Sequence, residues 1–527
     1  MKLGLAQFLT AICLMTAIGG ASVGQPLTSS DEKMGSADET SRSKEAVSRE
    51  KTGPMGIADA RHFLARTGFG GTLAEMEATA QLSRLAAVAA LLANVHQESL
   101  LPAPEFVLTP RSSRTLPRDA TRDQRMMFQK ERRLEGQNLK SWWVAEMALT
   151  DSPFTERLTL FWHNHFVSEL RKVRDPELMW RQNELFRRHA AGSFRALLRE
   201  VSTDAAMVIY LDSQQNRRRA PNENFARELY ELFTLGEGHY TETDIKETAR
   251  ALTGWRVARI PGTVSFVSRQ HDPGEKTIFG ETGLHDVDDV IRIVLERPRV
   301  AEHIVESLWR EFVSPDLVAG ETQRLAAVFR DADYRLAPLY KALLESPAFW
   351  VDTNRGALFR SPVDLVVGTA RVLGLFDVPP QSLSRAMVGM GQNLLDPQNV
   401  KGWPGGERWI TSDALLTRHQ FLERAMLGLA ANRGRDRSMA GGEDDPSMGG
   451  MADGADRRAR RRRRNNPPPA AMNMRSEWIA LGDSNPERAA ALATRLCPLP
   501  PVIEPKPGEF PADTLSRLLL DPTYQLK

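Results

Sequence analysis

Residues 222–255 read NENFARELYELFTLGEGHYTETDIKETARALTGW, and this stretch decides the fold class. It predicts two helices, 222–235 and 242–253, joined by a turn at Gly236 and Gly238. Phe225, Leu229, Leu232 and Phe233 recur at helical spacing and define an apolar stripe. Glycine suits a helix C-cap and a tight turn. Thr241 with Asp244 resembles a capping box, with Asp in place of the usual Glu or Gln. Asn222 and Asn224 are N-cap candidates. Beside the stripe stand Arg227, Glu228 and Glu231. Charges crowded by apolar residues are costly unless they are paired or bound to something.

The same periodicity extends outward. It predicts helical segments within 57–100, a loop at 101–120, a long helix from Arg122 to Leu149, and a helix from Pro153 to about Glu169. Further helices are expected at 176–190, 193–202, 286–296, 299–313, 321–330, 335–346, 361–375 and 412–429. Residues 257–283 differ: Val257, Ile260, Val264, Phe266 and Val267 lie among Pro, Gly and Asp, which suggests a small β-hairpin or extended excursion. Residues 396–410, with Trp403 and Trp409 among Pro and Gly, read as an ordered loop. The expected fold is mainly α, a large multi-helical domain with a small β-hairpin excursion near 257–283.

The chain has 527 residues, ample for a large core, and 10 Trp and 21 Phe to fill it. A formal net charge of +2 implies no global attraction to nucleic acid or to an anionic membrane, and no specific nucleic-acid binding is expected. Residues 1–21 read as a signal peptide: Lys2, an apolar run from Leu3 to Ile18, then Gly19, Gly20 and Ala21. Export to the periplasm or medium follows. Once that segment is removed, Cys497 is the single thiol, no disulfide is available, and no transmembrane segment remains. Residues 22–55 read as a disordered spacer, 56–432 as the helical domain, 433–475 as a disordered low-complexity insertion, and 476–527 as C-terminal helices closing the same domain. The insertion carries a basic run, Arg457–Arg464. It reads as a solvated linker or as a polyanion contact.

Three places carry the candidate chemistry. In Phe161-Trp-His-Asn-His-Phe166, His163 and His165 lie two apart and point about 200° from each other on a helix. One suits a core histidine and the other a site residue, and either imidazole is a natural metal ligand. Glu228 and Glu231, three apart, are helical neighbours. They read either as ion pairs with Arg250 or Arg256, or as an acid–base or metal-binding pair. His271 and Asp272 are adjacent on a loop, where side chains converge without helical restriction. Asp272-Pro273-Gly274 is equally a turn sequence. The assignment is Glu228, His271 and Asp272 as catalytic, and His163, His165 and Glu231 as ligands of a divalent metal ion. The chain lacks a zincin helix, a nucleophile elbow, a phosphate-binding glycine loop and a dinucleotide fingerprint.

Ala60-Arg-His-Phe-Leu64 with Gly68-Phe-Gly70, then Phe161–Phe166, Asn224–Gly236, Ala249–Trp255, His271-Asp272 and Asn399-Val-Lys-Gly-Trp-Pro-Gly-Gly406 resemble the bacterial domain of unknown function 1800 family. The resemblance implies a large, mostly helical, exported protein without an assigned activity. It also implies a partner, since members are often encoded beside an exported sulfatase-like protein. Two functions are expected from different classes. One is a metal-binding or hydrolase-like protein acting on envelope or polysaccharide material. The other is a non-enzymatic envelope scaffold or partner-binding protein whose motif charges are structural ion pairs.

Overall fold

The computed structural model describes residues 53–109, 116–117, 119–258, 262–439, 478, 486–504, 506 and 509–527. The expected signal peptide, nearly all of the spacer, the insertion from 440 onward and the Arg457–Arg464 run lie outside the described residues.

The described residues form 22 α-helices and four short strands. The chain opens with α1 (Gly56–Thr67), α2 (Leu73–Ala80), α3 (Arg84–Ala93) and the single turn α4 (Glu105–Leu108). Then come α5 (Arg122–Leu149), α6 (Pro153–His165), α7 (Leu170–Val173), α8 (Pro176–Arg188), α9 (Phe194–Ser202) and α10 (Ala205–Tyr210). Next, α11 (Asn224–Glu228) runs directly into a π-helix (Leu229–Thr234), and α12 (Glu242–Ala251) follows. The strands are β1 (Trp255–Val257), β2 (Val264–Phe266), β3 (Lys276–Ile278) and β4 (Glu281–Gly283). The helices resume with α13 (Val287–Leu295), α14 (Pro298–Phe312), α15 (Ala319–Asp331), α16 (Leu336–Leu344), α17 (Pro347–Trp350), α18 (Pro362–Leu373) and α19 (Pro380–Gly389). The last are α20 (Ser412–Met439), α21 (Pro486–Leu496) and α22 (Pro511–Leu520).

Local chemistry sets the boundaries. Thr121 and Gln124 close a capping box on α5, and Pro153 occupies the first turn of α6. Thr241 and Asp244 form the box read from the sequence. The excursion resolves into two antiparallel hairpins, β1–β2 with Trp255 opposite Phe266, and β3–β4 with Lys276 opposite Gly283. Between them Asp272 Oδ1 accepts the Gly274 N–H at 2.9 Å, a turn that separates the two. α6 stops at His165, short of the expected Glu169, because Phe166 leaves helical geometry at φ −99°, ψ 71°. α20 runs to Met439, past the expected start of the insertion at 433.

Packing joins these elements around one continuous apolar cluster drawn from α1 through α22. α14 illustrates the logic. Val300, Ala301, Ile304, Val305, Leu308, Trp309 and Phe312 are buried along one face. Each large side chain of that kind contributes roughly 1.5–3 kcal/mol when removed from water. α1 packs on α2 and on α21, α5 on α18 and α19, α6 on α8, and α20 on α22. Among the described residues no helix is long and apolar enough to cross a membrane.

Candidate functional site

The C-terminal turn of α6, the π-helix, α14, the start of α18 and the 400–409 loop enclose a cavity of about 490 Å³. Asn164 and His165 reach it because α6 ends there. Asn164 Oδ1 accepts the Trp403 N–H at 2.7 Å. The neighbouring Gly402 has φ +83°, and a Cβ there would lie 2.7 Å from the Asn164 carbonyl oxygen and closer still to Oδ1. Only glycine fits that approach. The segments 161–166 and 399–406, far apart in sequence, are thus two halves of one clasp.

The π-helix supplies the opposite wall. It ends at Thr234, and the N–H groups of Leu235 and Gly236 just beyond it both donate to the Tyr230 carbonyl, at 2.9 and 3.0 Å. The carbonyls of Leu232 and Phe233 instead face two imidazoles. His303 Nε2 lies 3.0 Å from the Leu232 oxygen, and His165 Nε2 lies 3.0 Å from the Phe233 oxygen. A carbonyl only accepts, so Nε2 carries the proton in each ring and Nδ1 keeps a lone pair. Burial, with His303 adding to it, pushes His165 down to about 3. Burial also lowers His303. Both rings are therefore neutral near pH 7, with centroids 6.2 Å apart. π-Turns of this kind recur at functional sites.

Glu231 lines the cavity. Its Oε2 accepts the Tyr240 hydroxyl at 3.2 Å, and Lys401 Nζ stands 3.7 Å from Oε1 and 3.1 Å from Glu237. Glu228, one turn earlier, is half-buried and has no hydrogen bond or ion pair with another described residue. Burial first, and Glu231 second, hold its carboxyl above the ordinary value. Neither glutamate is neutralised by the arginines suspected from the sequence. Arg250 serves Glu247 (2.6 Å) and Asp272 (2.8 Å), and Arg256 donates to Gln270 Oε1 and to the Gln214 carbonyl. Arg227, on the same helix as Glu228, serves Glu223 (3.4 Å) and Glu242 (2.9 Å).

The floor is a buried charge network. Arg157 donates to the Gly68 carbonyl, to Asp364 and to Glu311. Lys527 Nζ donates to Asp364 Oδ2 at 2.9 Å. Asp364 is also the third residue of the Ser361 capping box that starts α18. Burial raises the Asp364 carboxyl, but Arg157 and then Lys527 outweigh it and leave the group far below the usual carboxylate range.

Of the six residues singled out from the sequence, His165 and Glu231 line this cavity and the other four do not. His163 is buried behind the wall, its ring edge-on to Trp143 at 5.5 Å and tilted against Trp403 at 5.7 Å. Its Nε2 has no partner, and burial pushes it down to about 3. His271 Nδ1 lies 3.1 Å from the Thr253 carbonyl and its ring packs on Phe266. Asp272 is clamped by Arg250, whose hydrogen bond holds its carboxyl below the usual range. Among the described residues no three His, Cys, Asp or Glu side chains are grouped to hold a metal ion. The cavity also uses residues that spacing did not reveal: His303, Arg157, Asp364, Glu311 and Lys527. Charges inside the apolar run Phe154–Trp162 were a usable signal for Arg157, since buried charges need partners. His303 left no local signal.

Searches among curated proteins and among solved structures gave no significant match. A family model described as "Protein of unknown function (DUF1800)" matches residues 62–526, and the chain belongs to that family.

Proposed function

We propose that this is an exported cell-envelope protein whose Glu231 cavity binds a polar envelope molecule, such as a polysaccharide, and hydrolyses it. The observation that carries the reading is that Glu231 escapes neutralisation by arginine at a cavity wall bearing two neutral imidazoles, with Glu228, unpaired among the described residues, one turn behind it. Neighbouring carboxylates with unequal environments divide into an acid and a base. Glu228 does not line the cavity; with its carboxyl raised by burial, it is the proton reserve one turn behind Glu231. Glu231 acts as the base, and the lone pair of His165 Nδ1 accepts a substrate hydroxyl. Arg310 and Lys401, both lining the cavity, suit a substrate carrying acidic groups.

The test is incubation of the full exported chain with acidic envelope polysaccharides and measurement of new reducing ends. Release by wild type, with loss of at least a hundredfold in Glu231→Gln, supports the reading. Equal release by folded Glu231→Gln overturns it. Fractionation of the producing cell tests export, and recovery in the cytoplasm would contradict it.

A second reading, a partner-binding scaffold, draws support from the fully paired floor of Arg157, Asp364 and Lys527 and from the Arg250–Asp272 clamp. Its partner would be the sulfatase-like neighbour implied by the family resemblance. Co-purification that survives Glu231→Gln, without any turnover, would favour it.

A further inference from the structure

A second cavity, of about 840 Å³, shares no lining residue with the first. It lies between α1, the turn at Asp352–Arg355, α21 and the Pro498–Pro501 segment. Arg61, on α1, lines it and is 4% exposed. Its Nε and Nη1 are sealed from solvent without a hydrogen-bond partner, and no described carboxylate pairs with it. The nearby acids are engaged elsewhere. Asp59 holds Arg84 (2.6 Å) and Arg355, Asp352 holds Arg355 (2.8 Å), and Glu509 holds Arg517 (2.5 Å). Arg355 lines the same cavity, and its Nη1 is likewise sealed and unpartnered. A buried guanidinium left without an anion is strongly unfavourable. Burial, then Arg360, lowers Arg61 to about 9, a measure of how poorly the charge is compensated.

Ala489, Ala490, Ala493, Leu499, Pro500 and Pro501 form an apolar side of the wall, and Thr494, Glu504, Lys506 and Thr514 add polar groups to the remainder. A buried, unpaired cation beside that apolar side matches a ligand with one charged end and an apolar body. The volume lies within the range of small-molecule sites.

We infer that this cavity binds a small amphiphile, an apolar chain with a monoanionic carboxylate or sulfate head, and that Arg61 ion-pairs the head. The carboxylate or sulfate takes the unmet donors of Arg61 and Arg355, and the chain lies along the alanine and proline wall. This assignment is independent of any chemistry at the Glu231 cavity.

The test is titration calorimetry of the full chain at neutral pH with decanoate, decyl sulfate, hexanoate and decanol. Decanoate or decyl sulfate binds at least tenfold tighter than decanol, and the tighter of the two identifies the head. Each methylene removed between decanoate and hexanoate weakens binding by roughly threefold to fourfold. Arg61→Met brings decanoate to the level of decanol. Ala490→Trp, at an exposed position of α21 that leaves Arg61 untouched, weakens decanoate by narrowing the cavity. Should Arg61→Met fail to fold, Arg61→Lys keeps the charge and retains the preference over decanol. Decanoate and decyl sulfate binding no tighter than decanol would overturn the inference. So would unchanged decanoate affinity in folded Arg61→Met, or no binding of either anion at millimolar concentration.

Discussion

Asp364→Asn isolates the charge at the cavity floor. Asparagine preserves the shape and still accepts the Ser361 N–H, now at 3.0 Å, so the cap of α18 survives. What is lost is the anion between Arg157 and Lys527, whose side chains are 2% and 5% exposed. Those two cations then face each other with only Glu311, 31% exposed and at 3.3 and 3.8 Å, to offset them. Removing one member of a buried pair costs about 3–5 kcal/mol, because the remaining charge stays uncompensated. Ser361→Ala is the internal comparison. It removes the hydroxyl that accepts the Asp364 N–H and donates to Asp364 Oδ2 at 2.9 Å but leaves the anion in place, at about 1–2 kcal/mol. Thermal and urea unfolding of both variants, followed by tryptophan fluorescence, measures the difference. The pH dependence follows from the same pairing. The folded carboxyl titrates below its unfolded value of about 3.9, so its stabilisation is full above that pH and is lost as acid takes the pH below it. Asp364→Asn unfolding with a midpoint no lower than Ser361→Ala at pH 7 would refute the reasoning.

Gly402→Ala is expected to cost about 1–3 kcal/mol from the positive φ alone and more from the collision with Asn164, lowering the thermal midpoint and shifting Trp403 and Trp409 emission. Glu228→Gln raises the thermal midpoint at pH 7, because burial keeps the folded carboxyl above its unfolded value. The sign is fixed: the gain is present once the pH exceeds the folded value and vanishes below the unfolded value of about 4.3. His165, neutral when folded down to about pH 3, makes stability fall as pH drops from about 6.5 toward 3. His165→Gln, scanned by calorimetry across that range, has a shallower acid limb. His163→Phe keeps the thermal midpoint within about 1 kcal/mol of wild type, since the orphaned Nε2 leaves with the imidazole while the ring packing on Trp143 stays.

Much of the fold was legible because local rules agreed with packing. α5 begins and ends at Arg122 and Leu149, as periodicity and the following Asp151-Ser152-Pro153 require. The mainly helical class and the turn at Gly236 follow from the same signals. The π-helix was not legible. Its extra residue per turn leaves the apolar pattern of Leu229, Tyr230 and Phe233 looking like an ordinary helix. α10 and α19 were missed because they are short or flanked by loop-like residues. The site was half legible. His165 and Glu231 sit in motifs that read as charged groups inside apolar runs, and they do line one cavity. Their partners are remote: Asp364 lies 207 residues from Arg157, and the oxygen of Leu232 meets His303 across 71. No local spacing encodes such pairs. His271 and Asp272 show the converse, because adjacency on a loop looked like convergence until Arg250, 22 residues earlier, proved to hold Asp272.

The central claim is that Glu231 works on a substrate in its cavity rather than fixing the fold. It is tested most directly by turnover of acidic envelope polysaccharide by purified wild type and Glu231→Gln at matched thermal stability. Reducing ends released by wild type, and at least a hundredfold fewer by a folded Glu231→Gln, are the predicted result. The same rate in both proteins would contradict the account.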